Sequence, residues 1–170
     1  LWALLLLTAA YLPLIGQSYP MDGTPINDCG GFFQDSGGGS AGYGLNENFT
    51  TVICSDGSEG THIQLVFSSI DIGELETITF YDSDGPNPGT ELDASFLMFP
   101  DNPFIVQATA ANTSGCLTIV FTSDGVDSGN TGWSADINCI TNCQLITADL
   151  VSTSPAVMPV DTGWIDICPG

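Results

Sequence analysis

Carboxylates and other oxygen-bearing side chains crowd the turns of this chain, and no residue answers them with a fixed positive charge. The sequence holds 20 Asp and Glu, one His and no Lys or Arg, for a formal net charge of -20. The chemistry concentrates in the run Cys116-Leu-Thr-Ile-Val-Phe-Thr-Ser-Asp124 and in Asn130-Thr-Gly-Trp133-Ser-Ala-Asp-Ile137. Each run alternates apolar and polar residues, and a Gly/Asp/Ser loop joins them, so the expectation is two strands paired in one antiparallel sheet. The loop suits a hard cation or a polar partner better than it suits catalysis, since Ca2+ takes about six to eight oxygen ligands. Elsewhere the acids must be solvated, hydrogen-bonded to backbone N–H groups or neutralised by metal.

The same charge excludes whole classes of partner. Nucleic acid binding needs cations to replace phosphate counterions, and this chain has none. An anionic membrane surface is excluded on the same ground. Catalytic constellations do not assemble either. His62, the lone imidazole, sits in a strand-like run with no Cys or Ser beside it. No G-x-S-x-G elbow occurs. A glycosidase-like carboxylate pair at Glu74 and Glu76 has no evident cleft. The Gly37–Gly44 stretch lacks the Lys and following helix of a phosphate loop. Asp82-Ser-Asp84-Gly85 echoes the start of an EF-hand loop, but Ala94 and Ser95 stand where its Glu belongs, so it reads as a plain turn.

Positioning falls to short strands. Candidates are Gly31–Gln34, Phe49–Cys54, His62–Ser68, Glu76–Tyr81, Phe104–Ala110, Cys116–Thr122 and Trp133–Asn138. Ile63, Leu65 and Phe67 share one face, and Ile78 and Phe80 repeat the pattern, while no segment keeps a helical period. Asp, Asn and Gly in the turns accept positive φ cheaply. Residues 29–140 therefore read as one all-β sandwich with a core of its own. The apolar run Phe96–Phe99 is expected buried. Residues 18–28 read as a polar linker carrying Pro20, Gly23 and Pro25.

The ends differ in character. Residues 1–17 are uncharged and apolar, too short to span a bilayer, and fit a signal peptide truncated at its start, with cleavage near Gly16 to Ser18. Residues 143–170 read as the truncated opening of a second β domain. Six cysteines, at 29, 54, 116, 139, 143 and 168, fit export and a disulfide framework, and metal-ligand spacing is lacking. Sequential pairing is the most economical: Cys29–Cys54, Cys116–Cys139 and Cys143–Cys168. By strand parity Cys139 shares a face with Trp133 whereas Cys116 opposes Leu117, Ile119 and Phe121, so the middle pair needs a bulge or strand-end geometry.

Taken in order, Cys29-Gly-Gly, Cys54, Ile63-Gln-Leu-Val-Phe-Ser-Ser-Ile-Asp71, Glu76-Thr-Ile-Thr-Phe-Tyr-Asp82 and Leu117 to Asp124 with Gly132-Trp-Ser-Ala resemble a CUB domain over residues 29–140. The resemblance implies a two-sheet antiparallel jelly-roll sandwich used for extracellular recognition or adhesion. It also implies Ca2+ as cofactor, held by a Glu after the first core strand, an Asp opening the next and an Asp in the Ser-Asp loop. Asp124 falls on the last of these. Glu76 falls on the second, as Glu for Asp. Strict spacing puts Gly73 on the first, with Glu74 one step later in a shortened loop, and Asp127 stands where a further oxygen ligand is common. The family's second disulfide has no counterpart, because no Cys lies between 54 and 116; Cys116–Cys139 would replace it as a staple. The acidic, Asn/Gly/Asp-turned composition resembles multidomain surface proteins of marine-type Bacteroidetes, in which the segment from Cys143 resembles the start of a PKD-type (immunoglobulin-like) repeat.

The expected function is thus a non-catalytic, secreted or cell-surface module that binds an extracellular protein or glycan with the help of Ca2+, a partner's Lys or Arg completing the cation's cage. Two rivals remain in view: an accessory domain of a secreted protease or glycosidase, and a structural spacer whose acidity keeps it soluble.

Overall fold

The structure is a computed structural model, and it describes residues 16–93, 104–126 and 129–141. The leader up to residue 15, the run Phe96–Phe99, Asp127 and the segment 143–170 with Cys143 and Cys168 lie outside the described residues.

Among the described residues, nine strands make two stacked sheets. They are β1 (Ser18–Pro20), β2 (Ile26–Asn27), β3 (Phe32–Gln34), β4 (Asn48–Cys54), β5 (His62–Asp71), β6 (Thr77–Tyr81), β7 (Phe104–Gln107), β8 (Leu117–Thr122) and β9 (Gly132–Ile140). One sheet runs β1-β3-β9-β5-β7 and the other β2-β4-β8-β6. The alternation expected of β5 and β6 is present: Ile63, Leu65, Phe67, Ile78 and Phe80 are all buried. Across the sandwich Phe67 meets Phe80 edge-on at 5.7 Å, and Phe121 meets Trp133 edge-on at 4.8 Å. These aromatic pairs join opposite sheets and add contact specificity to the apolar area they remove from water.

Three expectations need correction. First, β8 and β9 do not pair with each other. β8 lies between β4 and β6, and β9 lies between β3 and β5 in the other sheet. The loop joining them therefore crosses from sheet to sheet, because each strand buries its apolar face better against the opposite layer than beside its sequence neighbour. Second, the sheets are not wholly antiparallel: β1 runs parallel to β3, and β2 runs parallel to β4. Third, residues 18–28 are not a linker. They supply those two edge strands and bury Met21 and Ile26 in the core. The ladder continues from Met21, whose N–H donates to the Gln34 carbonyl (2.9 Å). Asp28 N–H likewise donates to the Cys54 carbonyl (3.2 Å).

Among the described residues the disulfides are Cys29–Cys139 and Cys54–Cys116, which overturns the sequential pairs Cys29–Cys54 and Cys116–Cys139. Register explains both bonds. In the β4–β8 ladder Ile53 opposes Leu117, so one further step sets Cys54 opposite Cys116. In the β3–β9 ladder Phe32 opposes Asp136, and three further steps set Cys29 opposite Cys139. Each bond extends a strand pair past its last rung, and no bulge is required.

Candidate cation and ligand site

Three loops gather at one end of the sandwich: residues 44–47 before β4, 72–76 between β5 and β6, and the loop after β8. Hydrogen bonds pin the first to the third. Asn46 N–H donates to the Asp124 carbonyl (2.7 Å) and Ser123 N–H to the Glu47 carbonyl (3.0 Å). The Ser123 hydroxyl accepts from Glu47 N–H (2.9 Å) and donates to the Gly44 carbonyl (2.7 Å). The second loop joins through Tyr43, whose hydroxyl accepts from Gly73 N–H (3.0 Å). Tyr43 is itself packed edge-on to Phe121 at 4.9 Å, so the loop end is tied to the core.

Glu74, Glu76 and Asp124 line one cleft of about 270 Å3, together with Leu75 and Val126. The structure thus brings three of the four expected ligands around one opening. Glu76 stands apart from the others. It is only 8% exposed, and no hydrogen bond to its carboxylate is found among the described residues. Asp124 spends Oδ1 on Val126 N–H (2.8 Å), which closes the turn at the tip of its loop. Among the described residues no three His, Cys, Asp or Glu side chains are gathered closely enough to cage a metal by themselves. Oxygens from backbone, water or further residues would have to complete a coordination shell.

Other carboxylates near this end have structural duties that the sequence reading did not assign. Glu47 accepts from the Ser36 hydroxyl (2.6 and 2.7 Å) and from Gly44 N–H (2.9 Å), bracing the first loop. Asp71 accepts from Thr131 N–H (2.8 Å), the Thr131 hydroxyl (3.0 Å) and the Asn130 amide (2.7 Å). The Thr131 N–H, then the Asn130 amide, hold the Asp71 carboxyl below its ordinary value. A lowered carboxylate lends stability that is complete above its unfolded value and is lost as pH falls through the folded one. Asp71→Ala is therefore expected to cost about 1 kcal/mol at neutral pH, given an exposed site. Denaturant melts across pH should show that difference shrinking to nothing under acid conditions; a constant difference would contradict the assignment.

Leu75 and Val126 are the cleft residues that went unnoticed in the sequence. They are 75% and 63% exposed, among the most open large apolar side chains described. The signal was an apolar residue set between acids, as in Glu74-Leu75-Glu76, inside a loop that has no core to enter. His62 sits away from this end; its ring nitrogens meet the Thr61 hydroxyl (2.8 Å) and the Asn112 carbonyl (3.1 Å). Asp82, in the EF-hand-like segment, clamps Thr109 and Asn112 and so serves as a structural tie.

No protein-family model and no curated protein matches this sequence. Solved structures do. One is the second CUB domain of MASP-1 in a crystal structure bound to Ca2+, 18% identical with a TM-score of 0.46, over 69% of this chain and 98% of that one. Another is the CUB1-EGF-CUB2 segment of rat MASP-1, 14% identical with a TM-score of 0.49, over 72% of this chain and 43% of that one. The sandwich assignment itself rests on the sheets and registers described above.

Proposed function

We propose that the chain is a non-catalytic extracellular recognition module whose acidic loop end takes Ca2+ and, with it, a protein or glycan partner bearing a basic side chain. The observation that carries this reading is Glu76. Its residue is 8% exposed, its carboxylate has no donor among the described residues, and it lines one cleft with Glu74 and Asp124, so three acids face one opening in a chain without Lys or Arg to answer them. A divalent cation from solution supplies the answering charge. Glu76, Glu74 and Asp124 would hold it, with Asp127 as a further proposed ligand, and the ion would neutralise the cluster and order the three loops. Leu75 and Val126 beside the acids offer apolar contact to a partner, which suits a long basic side chain with its aliphatic stem. Secretion is part of the same proposal, supported by two disulfides of the kind that persist in oxidising compartments.

Calorimetry and thermal melts with Ca2+ test it. Extracellular modules bind Ca2+ with Kd of roughly 0.1–1 mM. At about 100 times Kd the ion adds about 2.7 kcal/mol, a rise in Tm on the order of 10 °C. Glu76→Gln should abolish that rise, yet without Ca2+ it should be at least as stable as the parent, because it removes one of three like charges lining the cleft. No heat and no rise in Tm for the parent chain would remove the cation from the account.

A further inference from the structure

A second cleft lies on the outer face of the five-stranded sheet, away from the three acids. It encloses about 400 Å3, walled by the turn 38–42 and floored by the ends of β3, β9 and β5. Gln34, Ser134 and Ser69 stand in one row across those strands, Gln34 opposite Ser134 and Ser134 opposite Ser69. Their neighbours Phe33, Trp133 and Ala135 are buried, so strand alternation turns the row outward. The wall is held close. A Cβ on Gly42 would meet the Asn130 carbonyl oxygen at 2.2 Å, and one on Gly39 would meet Gln34 Nε2 at 3.3 Å.

The polar groups of this cleft are largely unspent. The hydroxyls of Ser40, Ser69 and Ser134 and the Gln34 Nε2 make no hydrogen bond to any described protein group, while Gln34 Oε1 accepts from Ser18 (2.5 Å). Asp35, the one acid of the lining, already accepts from Gly37 N–H (2.8 Å) through Oδ1 and from Trp133 N–H (3.1 Å) through Oδ2. The chemistry of the occupant follows by exclusion. An anion would meet a carboxylate and a chain of charge -20 with no cation to offset them. A cation would find its single carboxylate engaged on both oxygens. A protein partner gains most of its affinity from apolar and aromatic anchors, and here the Trp133 ring packs into the core against Phe121 while the rest of the lining is small and polar.

We infer that this cleft binds a neutral saccharide, one or two sugar rings held by the Ser and Gln side chains, independently of any divalent cation. The inference rests on the reading of the chain as a recognition module but not on its cation site. The test is a nitrogen-15 NMR titration of the full chain with maltose, cellobiose, lactose, mannobiose and diacetylchitobiose, each with and without EDTA, and with a lysine-rich peptide. At least one disaccharide should shift the amides of residues 37–42, Ser69, Thr131 and Ser134, saturating at roughly millimolar concentration and unaffected by EDTA. Ser69→Trp, at an exposed position, should abolish the shifts, and Gln34→Ala should weaken them should the first variant fail to fold. The inference is overturned if no disaccharide shifts these amides, if both variants respond as the parent does, or if only the peptide moves them. Loss of the response with EDTA would instead move the saccharide to the acidic loops, sparing the proposed function and sinking this site.

Discussion

Removing either disulfide is expected to produce a large loss of stability, and removing both to abolish folding at physiological temperature. Cys54–Cys116 closes a separation of 62 residues and Cys29–Cys139 one of 110. On the chain-entropy account such loops correspond to about 4 and about 5 kcal/mol, and losses measured in small secreted domains run at about 2–5 kcal/mol. Since a domain of this size is stable by only about 5–15 kcal/mol, the pair carries a large part of the total. The Cys54→Ala/Cys116→Ala and Cys29→Ala/Cys139→Ala chains should each melt lower than the parent by on the order of 10–20 °C. Full reduction should leave a chain without a cooperative transition. Peptide mapping of the native protein should return the same two links; a Cys29–Cys54 peptide, or a reduced chain that melts like the oxidised one, would contradict the register argument.

The second large effect is expected at Gly132, where β9 enters the core. Its φ of +75° suits glycine, and a Cβ there would meet Asp35 Oδ2 at 2.0 Å. Asp35 is 1% exposed and accepts the Trp133 and Gly37 N–H groups, so it cannot swing away without stranding buried donors. Gly132→Ala combines a left-handed backbone penalty of about 1–2 kcal/mol with an unsatisfied buried N–H of about 1–3 kcal/mol, for a loss of about 2–5 kcal/mol. In the double variant with Asp35→Ala the clashing carboxylate is gone, so the combined cost should fall short of the sum by about 0.5–3 kcal/mol. Strict additivity would show that the two groups do not collide.

Asp35 also has its own pH signature, opposite in sign to that of Asp71. Burial, against the pull of its backbone donors, raises the Asp35 carboxyl above its ordinary value. Stability from a raised group is complete below the unfolded value and is lost as pH rises through the folded one. The gap between parent and Asp35→Ala should therefore narrow from acid toward neutral pH, while the gap for Asp71→Ala opens over the same range.

Much of the framework was legible because strand alternation is a local signal. Ile63, Leu65 and Phe67 announce β5, Ile78 and Phe80 announce β6, and each of the seven expected strands overlaps an observed one. What escaped was set by tertiary pairing. β1 and β2 are three and two residues long, β1 ends on Pro20, and Gly23 and Pro25 lie between them, so they are too short to carry alternation and are held as strands by pairing with β3 and β4. Cysteine pairing failed for the same reason: proximity in sequence is not opposition in register. At the loop end, Glu74, Glu76, Asp124 and Asp127 were named through the resemblance to a CUB domain together with the chemistry of Ca2+ ligands. The burial of Glu76 was not legible, nor were the bracing roles of Glu47 and Asp71, because these depend on which loop lies against which.

The most direct measurement is an electron-density map of the chain crystallised with Ca2+. The proposed function predicts an ion about 2.3–2.6 Å from a Glu76 carboxylate oxygen, with Asp124 in its shell and no such peak in Glu76→Gln crystals. A map that shows the Glu76 carboxylate in the same cleft with no ion beside it at millimolar Ca2+ would contradict it.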